Sequence, residues 1–258
     1  MKNPPIALFC GLFLAALTSC VAQPQTPVRY DAYGYGSSTH SRAFGEWTLT
    51  LSRAELAVGP VYFCTSASSS MDSCSSALQE LRTCAAIDAL SDAPQALGDI
   101  AGVTGSIRSA KYDLGLSWLL TDSRARPSEA APGGHSLVVE GTATHADSRT
   151  FSFLAEIDLS PQFAGSYAID NQSMSASIDD DDARLEVRVD ALDWFEGMDF
   201  EALAATSDSL TPVVIRDGYP RLEDGTLDPR SRAREVLAQG LTNRSRPMFT
   251  WSASENPQ

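Results

Sequence analysis

Apolar and polar positions alternate along much of this chain. Trp47, Leu49 and Leu51 are separated by Thr48, Thr50 and Ser52, the two-residue period of a strand with one buried face. The apolar parity then slips to Leu56 and Val58, which predicts a bulge or bend near Ala54. Gly59-Pro60 breaks the run, and Val61, Tyr62, Phe63 and Cys64 resume it. Tyr112, Leu114, Leu116, Trp118 and Leu120 alternate again, followed by a loop over 121–134 rich in Pro, Ala, Gly and Arg. The clearest hairpin sets Leu137, Val139, Gly141 and Ala143 against Phe151, Phe153, Ala155, Ile157 and Leu159 across a turn at 145–150. A second hairpin is predicted to pair Met174, Ala176 and Ile178 with Leu185, Val187 and Val189 across four aspartates at 179–182.

Helical spacing is confined to short segments. Over 73–86, Leu78, Leu81 and Ala85 share one helical face. Over 229–239, Asp228 is a cap, Pro229 fits the first turn, Gly240 marks the end, and Ala233, Val236 and Leu237 form the buried stripe. Asp199 is placed to cap a further short helix. The fold class is therefore mainly β, an antiparallel β-sandwich or barrel-like domain with one short helix near 73–86 and one near 229–239. No repeat of 20–50 residues interrupts it.

The N-terminus carries different information. Lys2 precedes an apolar run over 6–17, too short to span a bilayer as a helix. The run closes on Leu17-Thr18-Ser19-Cys20. This resembles the lipobox of bacterial lipoprotein precursors. The resemblance implies a signal peptide over 1–19, acylation of Cys20, and, because Val21 follows where retention signals carry Asp, the outer membrane. An ordinary leader cut after Ala22 is the alternative. Residues 20–29 suit a lipidated tether, and 30–258 a single β-rich domain. Tyr30, Tyr33 and Tyr35 either begin that domain or stay with the tether. The stretch from Trp47 to Trp251 also resembles secreted lipoproteins with a G-P-V-Y-F-C strand and a later G-G-H segment, here Gly59 to Cys64 and Gly133 to His135. That resemblance brings no activity with it.

Charge narrows the partners. The chain carries a net −14, and loss of the leader with Lys2 makes it −15. Such a chain repels phosphate backbones, which excludes nucleic acid as a partner, and anionic head groups do not hold it by charge. Membrane attachment would rest on acyl chains, at about 0.8 kcal/mol per buried CH₂. Arg230, Arg232, Arg234, Arg244 and Arg246 form a basic patch on this acidic chain, by default helix surface.

Three cysteines remain beyond the leader and Cys20. If 73–86 is helical, Cys74 and Cys84 lie about 15 Å apart, beyond the ~7 Å that a disulfide spans. Cys64 is then an obligatory partner, and its small polar loop to Cys74 permits the turn back. The expectation is Cys64–Cys74, with Cys84 reduced.

Catalytic signatures are missing from the sequence: no G-x-S-x-G, H-E-x-x-H, P-loop or complete G-x-G-x-x-G is present. His135 and His145 flank one strand, about 30 Å apart, so at most one joins His40 in a metal site. The candidate ligands are His135, His40 and Asp180. The aspartates at 179–182 lack the alternate spacing and glycine of a calcium loop and suit a solvated tip. Trp194, Phe195 and Phe200 read as core, with a sugar platform as the alternative. The expectation is a lipid-anchored envelope protein with a non-catalytic binding or structural domain and no cofactor. The alternatives are a metal-handling module built on His135, His40 and carboxylates, and a hydrolase without a recognisable motif.

Overall fold

The computed structural model describes residues 25–253, apart from 71, 72, 209, 220 and 224. The leader, the lipobox and Cys20 lie outside these residues. The first strands are β1 Pro27–Tyr35, β2 Ser41–Phe44, β3 Trp47–Val58, β4 Val61–Cys64, β5 Gln79–Leu81, β6 Ala85–Asp88, β7 Gln95–Val103 and β8 Gly105–Tyr112. Then come β9 Leu116–Ser117, β10 Arg126–Pro127, β11 Leu137–His145, β12 Thr150–Ile157, β13 Ile169–Ile178 and β14 Ala183–Arg188. Helix α1 Phe200–Ala204, β15 Val213–Ile215, helix α2 Pro229–Gln239 and β16 Met248–Ala253 complete the order.

Eight strands form one sheet, in the order β13-β8-β4-β5-β7-β1-β14-β16. The second sheet runs β15-β12-β11-β3-β2, with β6 sharing the β2 side of β3. Pairing is antiparallel except for β1 with β14 and β12 with β15. The outer strands of the larger sheet approach each other: Gln172 Nε2 donates to the Pro247 carbonyl at 2.9 Å, and Arg246 Nη1 to the Asn171 carbonyl at 3.0 Å. The result is a nearly closed, barrel-like sandwich, as the patterning predicts.

Strand β3 illustrates how the core is filled. Trp47, Leu49 and Leu51 are buried, Ser52 and Arg53 are both exposed, and Ala54, Leu56 and Val58 are buried again. The pairing with β11 shifts at the same place, from Leu51↔Gly141 to Arg53↔Glu140. One extra residue thus returns the apolar set to the interior, two residues before the expected Ala54. Each buried leucine there contributes about 2 kcal/mol. The 137–145/150–157 hairpin forms with Leu137 opposite Ile157, and Trp194, Phe195 and Phe200 are core residues.

Four local expectations are corrected. Residues 73–86 are not helical. Gln79–Leu81 instead fills the slot between β4 and β7, with Leu81 opposite both Val61 and Ile100. Two ladders of backbone hydrogen bonds outweigh a weak helical pattern. The chain then crosses to the other sheet, where Ala85–Asp88 pairs with the end of β3. Strands β13 and β14 do not form a hairpin: β13 pairs with β8, and β14 with β1 and β16. The 112–120 alternation is not one strand: β8 ends at Tyr112, both parities are buried through Leu116, and Leu120 is exposed. Finally, β1 starts at Pro27, inside the expected tether, because Val28 is buried and Pro27 to Tyr30 pair with β7.

Helix α2 forms where expected, with the Asp228 side chain accepting from the Arg230 amide. It ends at Gly240 as expected, and a π-helical turn, Gly240–Arg244, follows directly. A Cβ at Gly240 would lie 2.8 Å from the Trp194 carbonyl oxygen, so glycine is needed for close approach. The basic patch is largely spent internally. Arg230 pairs with Asp228, Arg234 with Asp217, and Arg244 and Arg246 donate to backbone carbonyls.

The disulfide is Cys64–Cys74, with Cα atoms 5.9 Å apart, and Cys84 is free and half-buried. The helix used to separate Cys74 from Cys84 is absent, so the pairing came out right on a wrong premise. Its ten-residue loop is worth ~3 kcal/mol in the chain-entropy model. Replacing both Cys64 and Cys74 by Ala is expected to lower the urea-unfolding free energy by about that amount. An unchanged midpoint and slope would mean that the crosslink contributes nothing.

Candidate functional site

The β11–β12 register brings the candidate site together. With Leu137 opposite Ile157, the residues just before β11 face those just after β12. Ahead of β11 lies a short 3-10 turn, Pro132–Gly134, in which Gly133 and Gly134 hold φ of 60° and 86°. Glycine adopts that left-handed backbone without strain. The His135 amide donates to the Pro132 carbonyl at 3.0 Å, which fixes where the imidazole leaves the chain. Ser136 is buried and locks the same corner: its carbonyl accepts from the Ala57 amide and its Oγ from the Leu159 amide.

His135 Nδ1 lies 2.8 Å from Asp158 Oδ1, and Nε2 lies 4.0 Å from Glu156 Oε1. With the proton on Nδ1, the ring donates to Asp158 and leaves Nε2 as an acceptor. Asp158 is also an edge of a broad surface groove. That groove, of about 1,020 Å³, is lined by Leu116, Ser123, Arg124, Ala125, Arg126, Pro127, Gly134, Asp158 and Ser160. Strands β9 and β10 pair along it, Arg126 opposite Ser117 and Pro127 opposite Leu116.

Asp113, only 2% exposed, is bonded to Ser117, the neighbour of groove-lining Leu116. Its carboxylate accepts from Ser117 Oγ at 2.7 Å and from the Ala168 amide at 3.0 Å. Its backbone bonds to Pro60 and Gly59, where the chain passes between sheets. Burial pushes this carboxyl up to about 6; the bonds from Ser117 and Ala168 oppose the shift, and Asp170 adds to it. Tyr167, mainly by burial, is pushed up to about 12. Nearby, the Lys111 ammonium donates to the Cys74 carbonyl at 2.9 Å and lies 5.0 Å from the Tyr167 ring. Burial lowers its pKa.

The other candidates are elsewhere. His40 is exposed and its Nε2 meets the Leu90 carbonyl at 2.8 Å. Asp180 accepts from the Asp182 amide within the acidic turn. His145 packs edge-on against Trp47, with Asp147 at 2.8 Å and Glu46 at 3.4 Å. No three His, Cys, Asp or Glu side chains among the described residues are grouped to hold one metal ion. The sequence reading missed Asp158 and Asp113. Extending the hairpin register by one pair would have found Asp158, and Asp113 is the one charge inside an apolar alternation.

The folded pKa of Asp113, about 6, lies above the ordinary 3.8, so folding favours the protonated form. Stability is therefore greatest at low pH with respect to this group, falls as pH rises from 3.8 towards 6, and is level above. Asp113→Asn is expected to remove that slope and to raise stability at pH 8 by on the order of 2 kcal/mol. Urea melts across pH 4–8 measure it; a destabilised variant at pH 8 would contradict the assignment.

No family model matches the sequence, and no curated protein matches it. Among solved structures, MbnP from Methylosinus trichosporium aligns over 90% of this chain and 100% of its own, at 12% identity and a TM-score of 0.34. Similarity at that level carries no argument about function.

Proposed function

We propose that this chain is a lipid-anchored cell-envelope protein whose β-rich domain binds a ligand and has no catalysis of its own. The observation that carries the binding reading is the groove beside His135, open, polar and set on a rigid hairpin end. Hydrolysis by an activated nucleophile needs a hydroxyl or thiol against the imidazole. Here His135 meets two carboxylates, His40 a backbone carbonyl, and His145 two carboxylates and an indole. Among the described residues no Ser, Thr or Cys side chain is hydrogen-bonded to a histidine ring. The metal-handling alternative needs His135 and His40 in one site, and they are not grouped in one.

The anchor rests on the lipobox. Six residues, 21–26, separate the acylated cysteine from β1, a reach of at most about 25 Å. The domain is thus held close to the bilayer, with attachment through acyl chains and not through its acidic surface. Val21, following the cysteine where retention signals carry Asp, supports the outer membrane as its location.

Two measurements test the reading. Cys20→Ala is expected to move the protein from the detergent phase to the aqueous phase, or to leave the leader uncut. Identical partitioning of both forms would remove the anchor. Elemental analysis of purified protein and calorimetric titration with Zn²⁺, Cu²⁺ and Ca²⁺ are expected to find no stoichiometric site. A bound metal lost in His135→Ala would install the metal-handling reading instead.

A further inference from the structure

The chain holds 33 acidic and 19 basic side chains, and its arginines are mostly engaged. Arg42 reaches Asp190 and Asp193, Arg53 reaches Glu55 and Glu140, and Arg230 reaches Asp228. The same holds for arginines that line other concavities. Arg149 is paired with Asp147 and Glu201, Arg29 with Asp99, and Arg184 donates to the Tyr35 hydroxyl. Arg124 differs. It lines the large groove and has no hydrogen-bond or ion-pair partner among the described residues.

A second cation stands beside it. Among the described residues the Arg126 side chain pairs with Asp122 alone, at 3.3 Å and 67% exposed, a contact weak enough to be traded. The acidic group facing them, Asp158, is already engaged by His135 at 2.8 Å. Ser123 and Ser160 add hydroxyls to the wall, and the apolar lining is limited to Leu116, Ala125 and Pro127, without an aromatic ring. A guanidinium fork matches a carboxylate in two parallel hydrogen bonds. The volume suits a ligand of one or two sugar rings.

We infer that the groove takes a small organic anion, a carboxylate on a hydroxyl-rich body, with Arg124 as its ion-pair partner; this rests on the groove being the ligand site. Sodium glucuronate is a suitable probe, with glucose and inorganic phosphate as comparisons, titrated calorimetrically into the full-length protein in detergent at low salt. Glucuronate is expected to bind and glucose to bind at least tenfold more weakly, with affinity falling as salt is raised (on the order of one ion pair). Arg124→Ala is expected to weaken glucuronate by about tenfold or more without changing the melting temperature. Arg108→Ala, on β8 and exposed outside the groove, is expected to leave binding unchanged.

Three results overturn the inference: no glucuronate binding, equal binding by Arg124→Ala, or binding of phosphate with glucuronate inert. A groove-filling variant, Ser160→Trp, separates this from the reading beneath it. Binding lost in Ser160→Trp but kept in Arg124→Ala removes the anion and leaves the groove. Binding kept in Ser160→Trp removes the groove itself.

Discussion

One buried carboxylate joins the sandwich to its groove. Asp113 stands where β8 ends. Its backbone bonds to Gly59 and Pro60, the point at which the chain leaves one sheet for the other. Its side chain holds Ser117 on one loop and Ala168 on another. Ser117 in turn pairs with Arg126 on the groove wall. The same residue thus ties together the sheet crossing, strand β9 beside the groove and the loop leading into β13. Burying a charge without a cationic partner costs free energy, and its raised pKa records that cost. Position rather than stability explains why such a group suits this place.

What could be read from the sequence was the part governed by one face of one strand. The β3 pattern, the slip in its parity and the 137–157 hairpin follow from alternation alone, because a one-residue error would turn every leucine outward. The cap at Asp228 is equally local. Longer-range pairing was less legible. Residues 79–81 show a helical spacing in isolation, yet they become a strand because β4 and β7 offer unpaired backbone on both sides. Strands β7 and β8 carry Gly98, Gly102 and Gly105 among their apolar residues, which blurs the alternation. The distance in sequence between β14 and its neighbours β1 and β16 hides their pairing.

The site was half visible. His135 was legible because it follows two glycines and opens a strand. Its partner Asp158 required the hairpin register to be carried past the strand end. The groove required the loop over 121–134 to be placed, and its composition gives only its exposure. His40 and Asp180, chosen by residue type, find their partners in backbone groups instead.

Backbone amide chemical-shift mapping decides whether the groove beside His135 is the ligand surface. With nitrogen-15-labelled protein and glucuronate as titrant, shifts are expected to concentrate at residues 123–126, 134–136 and 158–160. Shifts centred on the Trp47–Arg149 face, or a spectrum unchanged at saturating concentration, would contradict it.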